Sequence, residues 1–307
     1  MQIKSISIVG MGALGILFGN FFTEKLGKDY VSFVLNKQRI EKYKKDKVTC
    51  NGSICDFKIV DEEEKCEPAD LLIMAVKSTA LKDAIKSARN VVGDNTIIIS
   101  VLNGISSEKI IGQEFGMDKI IYCVAQGMDA VKLGNKFTYS NFGELRIGIP
   151  KEEGYKKDKL DALTDLFDSI DFPYTLEDDI IHRIWSKFML NVGINQTVMI
   201  FEGNYGTVQK EGRAREIMVN AMKEVIELAQ YENVKLTNND LDGYLKLIDT
   251  LDKNGMPSMR QDGFSHRYSE VEMFSGTVLR LAEKHGLKLK TNEYLYSRIK
   301  EIESSYE

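Results

Sequence analysis

The sequence predicts an α/β first half built on a doubly wound, mostly parallel sheet, followed by an all-helical second half. Three observations carry this prediction. The apolar run Ile6-Ser7-Ile8-Val9 leads directly into Gly10-Met11-Gly12-Ala13-Leu14-Gly15, and apolar residues at helical spacing follow (Leu14, Leu17, Phe18, Phe21, Phe22). The runs Leu71-Leu72-Ile73-Met74-Ala75-Val76 and Ile97-Ile98-Ile99-Ser100-Val101-Leu102 are almost continuously apolar, as strands are when helices cover both faces of their sheet. Past about residue 178 strand signals stop and long amphipathic patterns begin.

The glycine segment fits G-x-G-x-x-G in its strand-to-helix setting. A strand that turns tightly into a helix gathers free backbone N–H groups and the positive helix end at one point, which suits a pyrophosphate. Gly10 serves the turn, Gly12 close phosphate approach and Gly15 helix-on-strand packing, with Met11, Ala13 and Leu14 completing a Rossmann-type cradle. Val31-Ser32-Phe33-Val34-Leu35 reads as the second strand. Residues 48–59 carry Asn51-Gly52 between β-prone flanks, a hairpin signal. Residues 137–149 read as a further β pair, and Phe172-Pro173-Tyr174-Thr175-Leu176-Glu177 as the link. Helices are expected over 181–200, 213–231, 240–253 and 258–285, with Gly286 as C-cap of the last, and a short one from about 292. The domains are then 1–176 for the dinucleotide and 177–307 for substrate and catalysis, with a cleft between them.

Composition narrows the function. The 307 residues include 41 basic and 46 acidic side chains, for a net charge of −5, and no basic stripe is interleaved with aromatics. Nucleic acid is therefore not an expected partner. No apolar segment reaches membrane-spanning length, and the first strand starts too early to leave a signal-peptide layout. Cys50, Cys55, Cys66 and Cys123 lack C-x-x-C spacing and form no ligand pattern with His182, His266 and His285. No metal site is expected, and a cytoplasmic protein with reduced thiols is. The charge runs 42–47, 62–64 and 156–159 are read as exposed surface.

The end of the second strand selects the dinucleotide. A carboxylate there binds the adenosine ribose of NAD, and cationic or neutral residues admit a 2′-phosphate. The strand here ends in Leu35-Asn36-Lys37-Gln38-Arg39. NADP is therefore the expected cofactor, with Asn36, Lys37 and Arg39 as contacts; otherwise the two cations merely open a solvated helix. Asn103 and Lys77 each follow a strand, at the edge where ligands bind in such sheets. Lys77 either lines the cleft or only terminates its strand.

In the helical half, Lys187, Asn191 and Asn195 lie at i, i+4 and i+8 and share one face. Their neighbours Ile184, Phe188, Leu190, Val192 and Ile194 are apolar. A lysine buried there has a lowered pKa and donates protons more readily near neutrality; one that snorkels to solvent does not. On one long helix, Ser258, Asp262 and Glu270 would also share a face. Ser258 would serve equally as a helix cap, and Glu270 as a partner for Arg267.

These pieces resemble the ketopantoate reductase (2-dehydropantoate 2-reductase) family nearly end to end. The resemblance rests on the glycine turn, Ala75-Val76-Lys77, Leu102-Asn103-Gly104, Trp185-Ser186-Lys187 through Asn191 and Asn195, and Ser258-Met259-Arg260-Gln261-Asp262 through Ser269-Glu270. It implies that Lys187 is the proton donor to the substrate carbonyl and that Glu270 holds the substrate hydroxyl. It implies that Ser258 and Asn103 contact the substrate carboxylate and the nicotinamide neighbourhood. Asn191 and Asn195 are then pocket asparagines, and Lys77 lies near the cofactor. Three positions depart from the family pattern: Asn36 where arginine is frequent, Gln196 where proline is frequent, and Tyr205 where some members carry asparagine. The implied reaction is reduction of 2-dehydropantoate to pantoate by NADPH. Its rivals are reduction of another 2-oxo acid and non-catalytic sensing of NADP(H). The long amphipathic helix permits a homodimer without demanding one.

Overall fold

A computed structural model describes residues 1–306. They form two compact units, the first Met1–Ile180 and the second starting at Ile181. The first unit contains a five-stranded, wholly parallel sheet in the order β5-β2-β1-β6-β7. Its strands are β1 (Ile6–Val9), β2 (Val31–Leu35), β5 (Lys58–Asp61), β6 (Leu71–Met74) and β7 (Ile97–Ser100). Strands β1, β6 and β7 are buried along their whole length, which is why they read as continuous apolar runs. The helices α1 (Ala13–Leu26), α2 (Lys37–Lys45), α3 (Leu81–Ala88) and α4 (Ser107–Phe115) alternate with them. The order reverses at β1, since β2 and β5 build outward on one side and β6 and β7 on the other. In doubly wound sheets the ligand crevice opens at that switch point.

The Asn51-Gly52 hairpin forms between β3 (Thr49–Cys50) and β4 (Ser53–Ile54). Asn51 at φ 46° and Gly52 at φ 89° supply the paired left-handed residues of its two-residue turn. β5, which the hairpin reading absorbed, instead joins the main sheet. β3 also pairs with β10 (Lys136–Thr138), which pairs with β9 (Val131–Leu133).

Three expectations are corrected in this unit. Residues 137–149 do not pair with each other: β10 belongs to the second sheet, whereas β11 (Glu144–Gly148) joins β8 (Tyr122–Gln126) and β12 (Tyr174–Leu176) in a third. The expected link at 172–177 carries β12. Phe172 anchors it with its ring 5.2 Å from Phe22 and 4.5 Å from Phe167, so burial of an aromatic stack draws the chain into the core. Lys156 of the 156–159 run is not exposed. Its side chain is fully buried just before α5 (Lys157–Ser169), donating to Glu153 and, at 3.0 Å, to the Ile120 carbonyl. A buried ammonium needs such partners.

The second unit is helical: α6 (Ile180–Ile200), α7 (Tyr205–Gln209), α8 (Arg213–Tyr231), α9 (Asn238–Thr250), α10 (Ser258–Phe264), α11 (Ser275–His285) and α12 (Lys290–Glu303). Gly286 closes α11 at φ 69°, as expected. The single helix expected over 258–285 is two, interrupted at 265–274. His266 adopts φ 49°. Asp262 accepts from the Arg267 side chain at 3.0 Å, and Ser269 donates its N–H to Glu303 at 2.7 Å. These bonds hold the segment out of helical geometry. Gln196, where the resemblance leads one to expect proline, keeps α6 continuous and caps α11. Its Nε2 donates to the Val192 carbonyl at 2.8 Å and its Oε1 accepts from Ser275 N–H at 3.1 Å. No described helix is long and apolar enough to cross a membrane.

Candidate functional site

The glycine turn is shaped by contacts that exclude side chains. Gly10 sits at φ +109°, and a Cβ there would lie 2.4 Å from the Ala75 carbonyl oxygen. A Cβ on Gly15 would lie 1.9 Å from the Gly10 oxygen, so α1 packs directly on the turn. Gly12 differs: it is exposed, and its only neighbour would be the Ala75 oxygen at 3.6 Å. Gly12 is also the N-cap of α1, with no side-chain cap bond and no acidic residue in the first turn. The first N–H groups of α1 therefore face outward without an intrahelical acceptor. That combination fits a dinucleotide pyrophosphate.

The end of β2 is more elaborate than a row of cations. Asn36 caps α2, its Oδ1 accepting from Arg39 N–H at 2.9 Å. Lys37 is ion-paired with Glu63, from the turn after β5. Lys37 is pushed above the usual lysine range by its hydrogen bond to Glu63, with the charges of Glu63 and Asp61 adding to it. Arg39 is exposed.

Lys77 and Asn103 stand just past β6 and β7, at the same C-terminal edge as the glycine turn, Lys77 exposed and Asn103 half-buried. Behind Asn103 runs a buried chain of polar groups. Ser100 donates to Ser107 at 2.9 Å, and Ser107 donates to Glu108 at 2.9 Å. Burial pushes the Glu108 carboxyl up to about 7, against the opposing pull of its backbone bond and Ser107. Lys132 escaped the sequence reading altogether. Its Nζ donates to the Met11 carbonyl at 2.5 Å and to the Tyr43 hydroxyl at 3.1 Å, placing a cation beside the glycine turn. The contact spans 121 positions of sequence, so no local pattern signals it.

In the second unit, Lys187 is half-buried on α6, and Asn191 and Asn195 follow it at 8% and 5% exposure. Asn195 Nδ2 donates to Asn191 Oδ1 at 3.2 Å. Asn195 Oδ1 accepts weakly from Ser258 Oγ and Met259 N–H, both at 3.4 Å. Asn195 thereby ties the start of α10 to α6 and acts as a remote cap for a helix without one. The structure brings Ser258 to Asn195 and Asn191, a meeting of two helices that helical spacing within either one does not suggest. The Asn191 Nδ2 group is buried with no hydrogen-bond partner. A buried donor left unpaired is costly. Glu270 is 8% exposed and lies in the break after α10, not on a helix face shared with Ser258 and Asp262. Arg267 pairs with Asp262. The histidines are spread over the fold: His182 lies 2.9 Å from Asp240, His285 bonds Glu232, and His266 stacks on Tyr306. The described residues contain no group of three or more His, Cys, Asp or Glu side chains able to hold a metal.

Comparison with known proteins follows this division of the chain. Residues 6–152 match the family model for ketopantoate reductase PanE/ApbA, and residues 179–303 the model for its C-terminal part. A curated 2-dehydropantoate 2-reductase of Aquifex aeolicus is 25% identical over 305 residues, covering 97% of both chains. Among solved structures, a ternary complex of D-mandelate dehydrogenase with NADH and anilino(oxo)acetate aligns with TM-score 0.86 at 21% identity, covering 98% of this chain and 99% of that one. A dimeric ketopantoate reductase from Staphylococcus aureus aligns with TM-score 0.81 at 20% identity, covering 99% and 100%.

Proposed function

The chain belongs to the ketopantoate reductase family of oxidoreductases, and from that premise we propose that it reduces 2-dehydropantoate to pantoate with NADPH. The observation that carries the reading is the polar face of α6: Lys187, Asn191 and Asn195 in register, Ser258 tethered to Asn195, and a buried donor on Asn191 lacking an acceptor. A 2-oxo acid brings a carbonyl and a carboxylate, both acceptors.

Bound NADPH supplies the hydride to the C2 carbon. Lys187 Nζ donates to the carbonyl oxygen and transfers a proton as negative charge develops there, a contribution of about 10²–10⁴-fold. Asn191 Nδ2 donates to a substrate oxygen, and Ser258 Oγ helps fix the carboxylate, so that the acceptor carbon is held in line for transfer. Glu270 accepts from the distal hydroxyl of the substrate. In the first unit the glycine turn would hold the pyrophosphate, Lys37 and Arg39 would bind the 2′-phosphate, and Asn103 and Lys77 would serve the nicotinamide end.

The deciding experiment is the Lys187→Ala variant. Turnover with NADPH and 2-dehydropantoate should fall by at least about 10²-fold while the NADPH dissociation constant stays unchanged. Near-normal turnover removes Lys187 from the chemistry. A second reading, reduction of a different 2-oxo acid, is favoured by the likeness to D-mandelate dehydrogenase in complex with NADH and anilino(oxo)acetate. A substrate panel separates the two by which acid has the highest kcat/KM.

A further inference from the structure

We propose that Glu63 tunes the dinucleotide preference of this chain by competing with the cofactor's 2′-phosphate for the Lys37 ammonium. The proposal rests on the NADPH reading above for what occupies the end of β2. The geometry there is fixed by backbone, not by a chance meeting of long side chains. Leu35, the last residue of β2, stands in register with Asp61, the last residue of β5. Glu62 N–H donates to the Leu35 carbonyl at 2.9 Å, which places the acidic turn directly beside the start of α2. That turn is anchored twice to the neighbouring segment: Ser87 donates to the Glu62 side chain, and Asn90 donates to the Glu62 carbonyl at 2.7 Å. Asp61 Oδ1 accepts Glu63 N–H at 3.0 Å and closes the turn on itself. Glu63 is thus presented to Lys37, and the two pair with about 70% of each side chain exposed.

The consequence is electrostatic. A sequence reading of this strand end sees Lys37 and Arg39 without a carboxylate; the fold returns two carboxylates, Asp61 and Glu63, to the same place. A 2′-phosphate that uses Lys37 has to displace Glu63 and then lie near its negative charge. A ribose bearing only hydroxyls meets no such penalty. Exposed ion pairs are weak and screened by salt, so the effect is a tuning and not a block.

The test is calorimetric binding of 2′,5′-ADP and 5′-AMP, with NADPH and NADH in parallel, to wild type, Glu63→Gln, Lys37→Gln and the double variant. Glu63→Gln should bind 2′,5′-ADP and NADPH about one-and-a-half- to fivefold more tightly at low ionic strength, with 5′-AMP and NADH unmoved. Most of that gain should vanish at high salt and in the Lys37→Gln background. The proposal is overturned if Glu63→Gln shifts both probes equally or neither, or if Lys37→Gln leaves their ratio unchanged. A wild type that prefers 5′-AMP, with a ratio that Glu63→Gln moves toward 2′,5′-ADP, sustains the proposal and overturns the NADPH reading instead.

Discussion

Gly12 and Gly15 stand three residues apart in one turn, yet a methyl group added at each meets different surroundings. At Gly15 it would fall 1.9 Å from the Gly10 carbonyl oxygen, and backbone cannot give way. Gly15→Ala should destabilise the protein by about 1–3 kcal/mol or more through overpacking and lose dinucleotide binding with it. At Gly12 the methyl meets only ordinary contact at 3.6 Å and projects toward open space. Gly12→Ala should change stability by no more than about 1 kcal/mol while weakening NADPH binding at least tenfold. Thermal melts alongside titrations distinguish the pair, and equal losses of stability in both variants would contradict the assigned roles. Asn191 offers the complementary case in the second unit. Its unpaired donor is a cost in the free protein, so Asn191→Ala should raise KM for the oxo acid by about tenfold without a matching loss of melting temperature.

At the scale of elements, α4 and the end of β7 are joined through Ser100, Ser107 and Glu108, next to the segment carrying Asn103. Glu108 is raised by burial from an ordinary 4.5 to about 7. An acid raised in this way holds its proton more tightly folded than unfolded, so its contribution is greatest at and below the unfolded value. Stability from this group should therefore decline as pH rises from about 4.5 to about 7, with a slope of at most about 1.4 kcal/mol per pH unit. Glu108→Gln removes the titration yet leaves an acceptor for Ser107. Its melting temperature should lose that dependence over the same window, and an unaltered profile would show that Glu108 ionises freely in the fold. The start of α2 behaves more simply. Asn36 is the helix cap, and Asn36→Ala should cost about 0.5–2 kcal/mol in denaturant unfolding.

For the whole molecule, the glycine turn lies in the first unit and the α6 polar face in the second. Because NADPH binds residues of the first unit in this reading, saturating NADPH should raise the melting temperature of wild type and Lys187→Ala alike. The stabilisation should be about 2.7 kcal/mol at a hundredfold excess over its dissociation constant. A thermal shift confined to wild type would argue that Lys187 holds cofactor and not substrate. The parallel sheet, the glycine turn, the Asn51-Gly52 hairpin and the polar face of α6 were all legible in sequence, because each follows from local rules: apolar runs, turn chemistry and helical period. The alignment of Lys187, Asn191 and Asn195 is of that kind, being a consequence of 3.6 residues per turn. Tertiary structure alone decided the rest. Periodicity could not reveal that 258–285 breaks, since the bonds that break it reach Glu303 on another helix. Charge runs could not reveal a buried Lys156, whose acceptor at Ile120 is 36 residues away. The strand end that looked purely cationic acquired its carboxylates only when β5 came into register with β2. A chain's local pattern specifies which elements form and which faces they bury; which charges then meet depends on strand order and register, and these exist only in the folded molecule.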